Sequence, residues 1–350
     1  EFGRPASREA FRESGPRYLD PYRLAKYTVP HQVSAFREGD SIRVELSYAL
    51  PRNRLVRTVS ADTVHVEDGF FLFGEGWDEV HRDLKGGGLE LPEPRPATQT
   101  VADSLHGSHL LVTKEATVRP GRYHAIVETW SRDTGAIGTF REFRDFSFTD
   151  STLAISDLLL ARHIAEQKPF PETRRDLSVT PNPLRVCQRQ EPVFVYFEIY
   201  NLTKDSFGRT EYEVSFTVGP PSGDVDPSLF AAGGAPDGPG VIQIERSEDE
   251  GTEPAVGDTV EITEPPQYRV TYKLPEWNQV SEMPAEGTGA GGQTETAVTV
   301  RYVGDRETDL TYLQIDLAHL TRGIHKLSVK VRDVKTGETD EREAVFRVTN

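Results

Sequence analysis

The densest run of chemically capable side chains in this sequence is Asp103-Ser104-Leu105-His106-Gly107-Ser108-His109. A serine, a histidine and a carboxylate can form a nucleophilic set in which the base takes the hydroxyl proton as the oxygen attacks. His106 and His109 also offer two nitrogen ligands to a metal. Neither chemistry has its framework here. The chain has no Gly-x-Ser-x-Gly elbow, no His-Glu-x-x-His and no third ligand at a standard spacing. Polar residues this close together ordinarily make a loop. A hydrolase built on the 103–109 cluster is therefore the weakest of three functional readings. His65, His81 and His124 are scattered on separate strand-like runs and make a site only if they converge on one sheet face.

Acidic loops suggest calcium. Asp224-Val225-Asp226 and Ser247-Glu248-Asp249-Glu250 supply oxygen ligands, but lack the alternating acids and closing Glu of an EF-hand loop. They read first as solvated acidic loops. Glycines at Gly86–Gly88, Gly233-Gly234 and Gly291-Gly292 have neither a P-loop lysine nor a following helix, so phosphate binding has little support. No catalytic residue, metal ligand or cofactor is assigned from the sequence.

The stretch that organises the chain is Glu191–Asn201, EPVFVYFEIYN. Val193, Val195, Phe197 and Ile199 point one way, and Phe194, Tyr196, Glu198 and Tyr200 the other, because successive strand side chains face opposite sides. One face is aliphatic core. The other is aromatic with polar tips, so Phe194, Tyr196 and Tyr200 are the candidate residues for a carbohydrate or peptide groove. The competing expectation is that this face packs against another domain.

Further strand-like runs lie at SIRVELSYAL, LVRTVSADTVHVED, GFFLFGEGW, HLLVTKEATV, RYHAIVETW and GTFREFRDFSF, with Asp68-Gly69 as a hairpin signal between two of them. Residues 152–167 (TLAISDLLLARHIAEQ) fit strand and helix alike; the reading taken is a strand followed by an irregular or one-turn helical piece. An internal repeat aligns Gly121–Gly135 (GRYHAIVETWSRDTG) with Gly323–Gly337 (GIHKLSVKVRDVKTG), each closing on a Thr-Gly turn. Upstream, SIRVELSYALP resembles PVFVYFEIYNLT. These landmarks predict an all-β protein of two tandem immunoglobulin-like antiparallel β-sandwich domains with an N-terminal extended strap. The expected divisions are 1–35 as linker or strap, 36–150 as the first sandwich and 151–350 as the second. The second carries acidic, Gly/Pro-rich insertions around 219–266 and 282–293.

Composition narrows the partners. At 350 residues the chain is long enough for two or three domains, at about 150 residues each. Its net charge of −16 disfavours nucleic acid and anionic membrane surfaces. No run has the apolar length to span a bilayer. Cys187 is the sole cysteine, so no disulfide forms within the chain and the redox compartment is left open.

Ser156–Ala161 (SDLLLA), Thr180–Arg185 (TPNPLR), Val195–Leu202 (VYFEIYNL) and the closing GIHKLSVKVRDVKTG with FRV follow one another in a familiar order. Together with AFREGDSIRVELSYALP they resemble the C-terminal β-sandwich portion of bacterial GWxTD-domain proteins, over most of residues 30–350. The naming signature is absent: Gly76-Trp77 is followed by Asp78-Glu79-Val80 in a hairpin context. The resemblance implies a naming domain upstream of Glu1 and an exported bacterial protein (periplasmic, cell-surface or extracellular), and it brings no catalytic residues. The leading expectation is accordingly a non-catalytic structural or protein-interaction module, working with a protein partner or by self-association through sheet faces, edges and loops. The alternative is the ligand-binding module on Phe194, Tyr196 and Tyr200.

Overall fold

The computed structural model describes residues 26–55, 63–90, 109–169, 171–221, 225, 230, 272–273, 280–282, 296–318 and 320–349. Within them the period-two patterning becomes strands almost throughout. The first group is β1 (Lys26–Thr28), β2 (His31–Glu38), β3 (Ser41–Pro51), β4 (Thr63–Gly74), β5 (Glu79–Glu90), β6 (His109–Val118), β7 (Gly121–Ser131) and β8 (Ile137–Phe146). One helical turn, α1 (Arg52–Leu55), follows β3. The second group opens with β9 (Ala154–Ile155), β10 (Leu159–Glu166), β11 (Leu177–Pro181), β12 (Val186–Gln188), β13 (Val193–Tyr200) and β14 (Thr210–Gly219). It closes with β15 (Tyr272–Lys273), β16 (Val280–Glu282), β17 (Thr296–Gly304), β18 (Asp309–Ile315), β19 (Gly323–Asp333) and β20 (Thr339–Thr349).

The chain is all-β, and its sheets are layered. The sheet β1-β8-β7-β4-β5 and the sheet β2-β3-β6 share a core that includes Val44, Leu46, Tyr48, Val66, Phe70, Val127 and Phe146. The sheet β11-β10-β13-β18-β15, with β9 also on β13, shares another core with β12-β20-β19-β14-β17-β16. Val195, Phe197, Phe216, Val329 and Phe346 are among its members. Burying each such side chain contributes about 1.5–3 kcal/mol, so alternate residues of a few long strands carry both cores.

The repeat seen in the sequence is a repeat of topology. In each group a hairpin (β7–β8, β19–β20) has a short strand running parallel to its outer member: β1 beside β8 and β12 beside β20. On its other side lie β4 and β5 in one group, β14, β17 and β16 in the other. β3 and β13, the two strands matched by sequence, are both interior strands of the opposing sheets. The turns agree bond for bond. Gly135 N–H donates to Ser131 O at 2.8 Å and Gly337 N–H to Asp333 O at 2.9 Å, with φ of 76° and 75°.

Several expectations differ from the structure. The end of the expected 1–35 strap is strand, since β1 adds to β8 and β2 pairs along β3; residues 1–25 lie outside the described residues. Asp68-Gly69 is no hairpin but the middle of β4, paired on both sides with β5 and β7. Gly69 is there because a Cβ would sit 2.6 Å from the Phe71 ring. Residues 152–167 are strand at both ends, β9 and β10, with no helical turn. The β1–β8 and β12–β20 pairs depart from a wholly antiparallel plan. The insertions around 219–266 and 282–293 lie outside the described residues except at their margins and at positions 225 and 230.

Candidate functional site

β13 is buried along its whole length, on both faces. Phe194 is 9% exposed, Tyr196 0% and Tyr200 1%, so the groove expected on this face is absent and the face is covered by β2 and β3. The Phe36 ring lies 5.4 Å from that of Tyr196 and the Arg37 guanidinium 4.7 Å over Tyr200. Between the two tyrosines sits Glu198. It accepts from Tyr196 Oη at 2.6 Å and from Tyr200 Oη at 2.7 Å, and pairs with Arg43 of β3 at 3.4 Å. Burial raises the Glu198 carboxyl above its ordinary range, against the lowering effect of the two hydroxyls and Arg43. Burial likewise raises both tyrosines. Such a network fixes how two surfaces dock, not a ligand.

Among the described residues the other candidates do not assemble. Residues 103–108 of the Ser/His/Asp cluster lie outside the described residues, and His109 begins β6 opposite Pro51. Asp224, Asp226 and 247–250 also lie outside them, as do Gly233-Gly234 and Gly291-Gly292. His65 and His124 lie on the outer face of their sheet, whereas His81 turns inward against Phe70, ring centroids 5.5 Å apart. Gly86–Gly88 are strand residues of β5 rather than a phosphate loop. The Cys187 thiol is buried and pushed up to about 12 by desolvation, so it is inert. Among the described residues no three His, Cys, Asp or Glu side chains are placed to hold a metal ion.

A different surface stands out, on the outer face of β1-β8-β7-β4-β5. The run Phe70-Phe71-Leu72-Phe73 puts apolar side chains on both sides of β4. Phe70 and Leu72 enter the core, while Phe71 and Phe73 join Ile126 of β7 beneath Trp77 and Leu84 on the far side. Trp77 comes from the β4–β5 turn, held at φ 67° with its N–H on Gly74 O. Its indole stacks on His124 at 4.1 Å and 13°, and the Arg141 guanidinium lies 4.1 Å from the same ring. Arg141 Nη2 is 3.5 Å from His124 Nδ1, so guanidinium and imidazole sit side by side under one face of the indole. The ladder continues to Phe143, 4.4 Å from His124, and to Arg122, 4.8 Å from Phe143. Desolvation, with Arg141 next, lowers the His124 pKa.

Phe143 is 41% exposed and Val80 44%. Arg122 pairs with Glu75 and Arg82 with Glu79, whereas Arg141 has no carboxylate within ion-pair distance among the described residues. Tryptophan, arginine and exposed aromatics are the side chains enriched at the energetic centres of protein interfaces. The sequence marked these strands but not this face. The one available signal was FFLF, apolar on both sides of a sheet edged by arginines in FREFRDF.

A scan against protein-family models finds no matching family, and no curated protein sequence matches. Among solved structures, the chain is similar to the C-terminal domain of the Streptococcus agalactiae antigen I/II polypeptide BspA, at 6% identity, TM-score 0.23, and 91% and 100% coverage of the two chains. It is similar to trypsin-activated alpha-2-macroglobulin from Escherichia coli at 8% identity and TM-score 0.23, covering 92% of this chain and 18% of that one. The C-terminal domain of the Streptococcus pyogenes antigen I/II-family protein AspA gives 6%, TM-score 0.19, and 92% and 100%. These values carry no functional argument. No helix among the described residues is long and apolar enough to cross a membrane.

Proposed function

We propose that this chain is a non-catalytic protein-interaction module of an exported bacterial protein, two tandem immunoglobulin-like sandwiches similar to the C-terminal part of GWxTD-domain proteins. Its working surface is the outer face of β1-β8-β7-β4-β5, and its partner is a protein that brings an acidic side chain to Arg141. The observation that carries this reading is the Arg141–Trp77–His124–Phe143–Arg122 ladder, in which Arg141 lacks a carboxylate among the described residues. A guanidinium with no carboxylate in ion-pair reach among the described residues, on a chain of net charge −16, favours a partner that supplies one. The aromatic rungs supply the desolvated contact around it.

The reading is tested with an array of aromatic peptides that carry or lack Glu and Asp, probed with the wild-type chain and with Arg141→Ala and Phe143→Ala. The expected result is retention of acidic aromatic peptides that weakens with salt and falls about fivefold or more in either variant, the effect of losing an interface residue worth over about 1 kcal/mol. Equal retention by wild type and both variants would remove the face from consideration.

A further inference from the structure

A polar group lies inside the first core that the interaction reading does not use. Lys114 projects from β6 into the sandwich, where its Nζ is 2.6 Å from Asp68 Oδ2 of β4 and 3.2 Å from Asp83 Oδ2 of β5. The Lys114 and Asp68 side chains are 3% and 8% exposed, and Asp83 is the most open of the three at 24%. Neither approach has the angle of an N–H···O hydrogen bond, and Nζ itself is sealed from solvent. Tyr48, fully buried on β3, donates its hydroxyl to the same Asp68 oxygen at 2.8 Å. Strand geometry puts all four here: Lys114 pairs with Leu46 next to Tyr48 on the core face of β3–β6, and Asp83 pairs with Phe70 next to Asp68 on the core face of β4–β5.

We propose that Lys114 and Asp68 condense to an intramolecular amide, a covalent staple between the two sheets of the first sandwich. One proton passes from the Lys114 ammonium to Asp68, leaving a free amine beside a neutral carboxylic acid. The nitrogen lone pair attacks Asp68 Cγ and the N–Cγ bond forms. The Asp83 carboxylate takes the proton shed by nitrogen and returns it to the departing hydroxyl. The Cγ–O bond then breaks and one water leaves. Atoms and charge balance without any added reagent. Three features of the site favour the step. The reactants are held at contact, which replaces a bimolecular encounter by an intramolecular one. Tyr48 Oη donates to Oδ2, the Asp68 oxygen that faces Nζ and takes its proton, and so assists its departure. The surrounding Leu46, Phe70 and Val66 exclude the water that would hydrolyse the product. With Cys187 as its sole cysteine, the chain has no disulfide to serve this purpose.

Intact-mass spectrometry of the full chain, unfolded in denaturant, tests the proposal. The expected wild-type mass is that of the sequence less one water, and proteolysis yields one branched peptide joining the Asp68 and Lys114 segments. Lys114→Arg keeps a cation in place but cannot close the bond, and returns the full sequence mass. Asp83→Asn removes the proton relay and leaves the uncondensed chain predominant. A wild-type chain that melts cooperatively yet shows the full sequence mass overturns the proposal, whether or not either variant folds. A branch from Lys114 to Asp83 overturns the assignment of Asp68 as the acceptor.

Discussion

Glu198 shows how one buried carboxylate sets a pH response. Its carboxyl is held above its ordinary value by desolvation, while Tyr196, Tyr200 and Arg43 offset part of that effect. Above the unfolded value of about 4.3 and up to the raised one, the native chain keeps a proton that the unfolded chain has released. Stability from this group is therefore whole below that window and is lost as pH rises through it. Glu198→Gln cannot titrate. The melting temperature of wild type minus that of Glu198→Gln is expected to fall as pH is raised across the window, a comparison in which the other titrating groups cancel. A difference that stays level with pH would mean that the carboxyl does not hold its proton in the native state. Arg43→Ala acts differently, since it strands the carboxylate without its cation, and breaking a buried pair this way costs about 3–5 kcal/mol at neutral pH. Chemical denaturation measures that loss directly.

At the scale of elements, the two Thr-Gly hairpins make a matched pair. Gly135 and Gly337 occupy the left-handed region with nothing within 4 Å of a built Cβ, so an alanine meets only backbone strain. Each replacement is expected to destabilise by about 1–2 kcal/mol, and by similar amounts, because the turns are the same. Gly138→Ala is expected to cost more, although its φ is ordinary, since a Cβ would lie 2.5 Å from both Thr129 Oγ1 and the Tyr27 ring. Denaturant midpoints of the three variants check the order. These turns were legible in the sequence because a positive φ is a local demand that glycine answers locally. β13 was legible because alternation is local too. Asp68-Gly69 misled for the opposite reason: the pair has turn chemistry, but Lys114 and Tyr48 from distant strands hold Asp68 inside β4. Alternation also separates two faces of a strand without saying what covers each. Tyr196 and Tyr200 therefore looked like a platform, and the ladder on Trp77 and Arg141 passed unseen.

For the whole molecule, what matters is that the two cores are joined by a third. Phe36 of β2 is buried with Leu159, Ala161, Ile164, Leu177, Phe194, Tyr196 and Leu310, all from beyond residue 150. Polar bonds frame this contact. Gln32 donates to Leu160 O at 3.2 Å and accepts from Leu160 N at 3.3 Å, while Arg174 reaches Glu45 at 3.0 Å and Asp157 reaches Arg144 at 2.8 Å. An interface with a buried aromatic wedge and paired charges couples the units it joins, unlike the looser contacts usual between domains. Wild type is expected to unfold as one. Two local reporters can show it. With Trp277 replaced by Phe throughout, the remaining Trp77 and Trp130 report on the first group of strands, and the Cys187 thiol reacts with a thiol reagent only when the second core opens. Both signals should change at one denaturant concentration in wild type. Phe36→Ala removes the wedge at a cost of about 3–5 kcal/mol, and the two signals should then separate, with tryptophan emission changing at a denaturant concentration where Cys187 is still protected. Coincident transitions in Phe36→Ala would locate the coupling in the polar frame instead, and the same pair of measurements on Gln32→Ala and Arg174→Ala would then find which bond carries it.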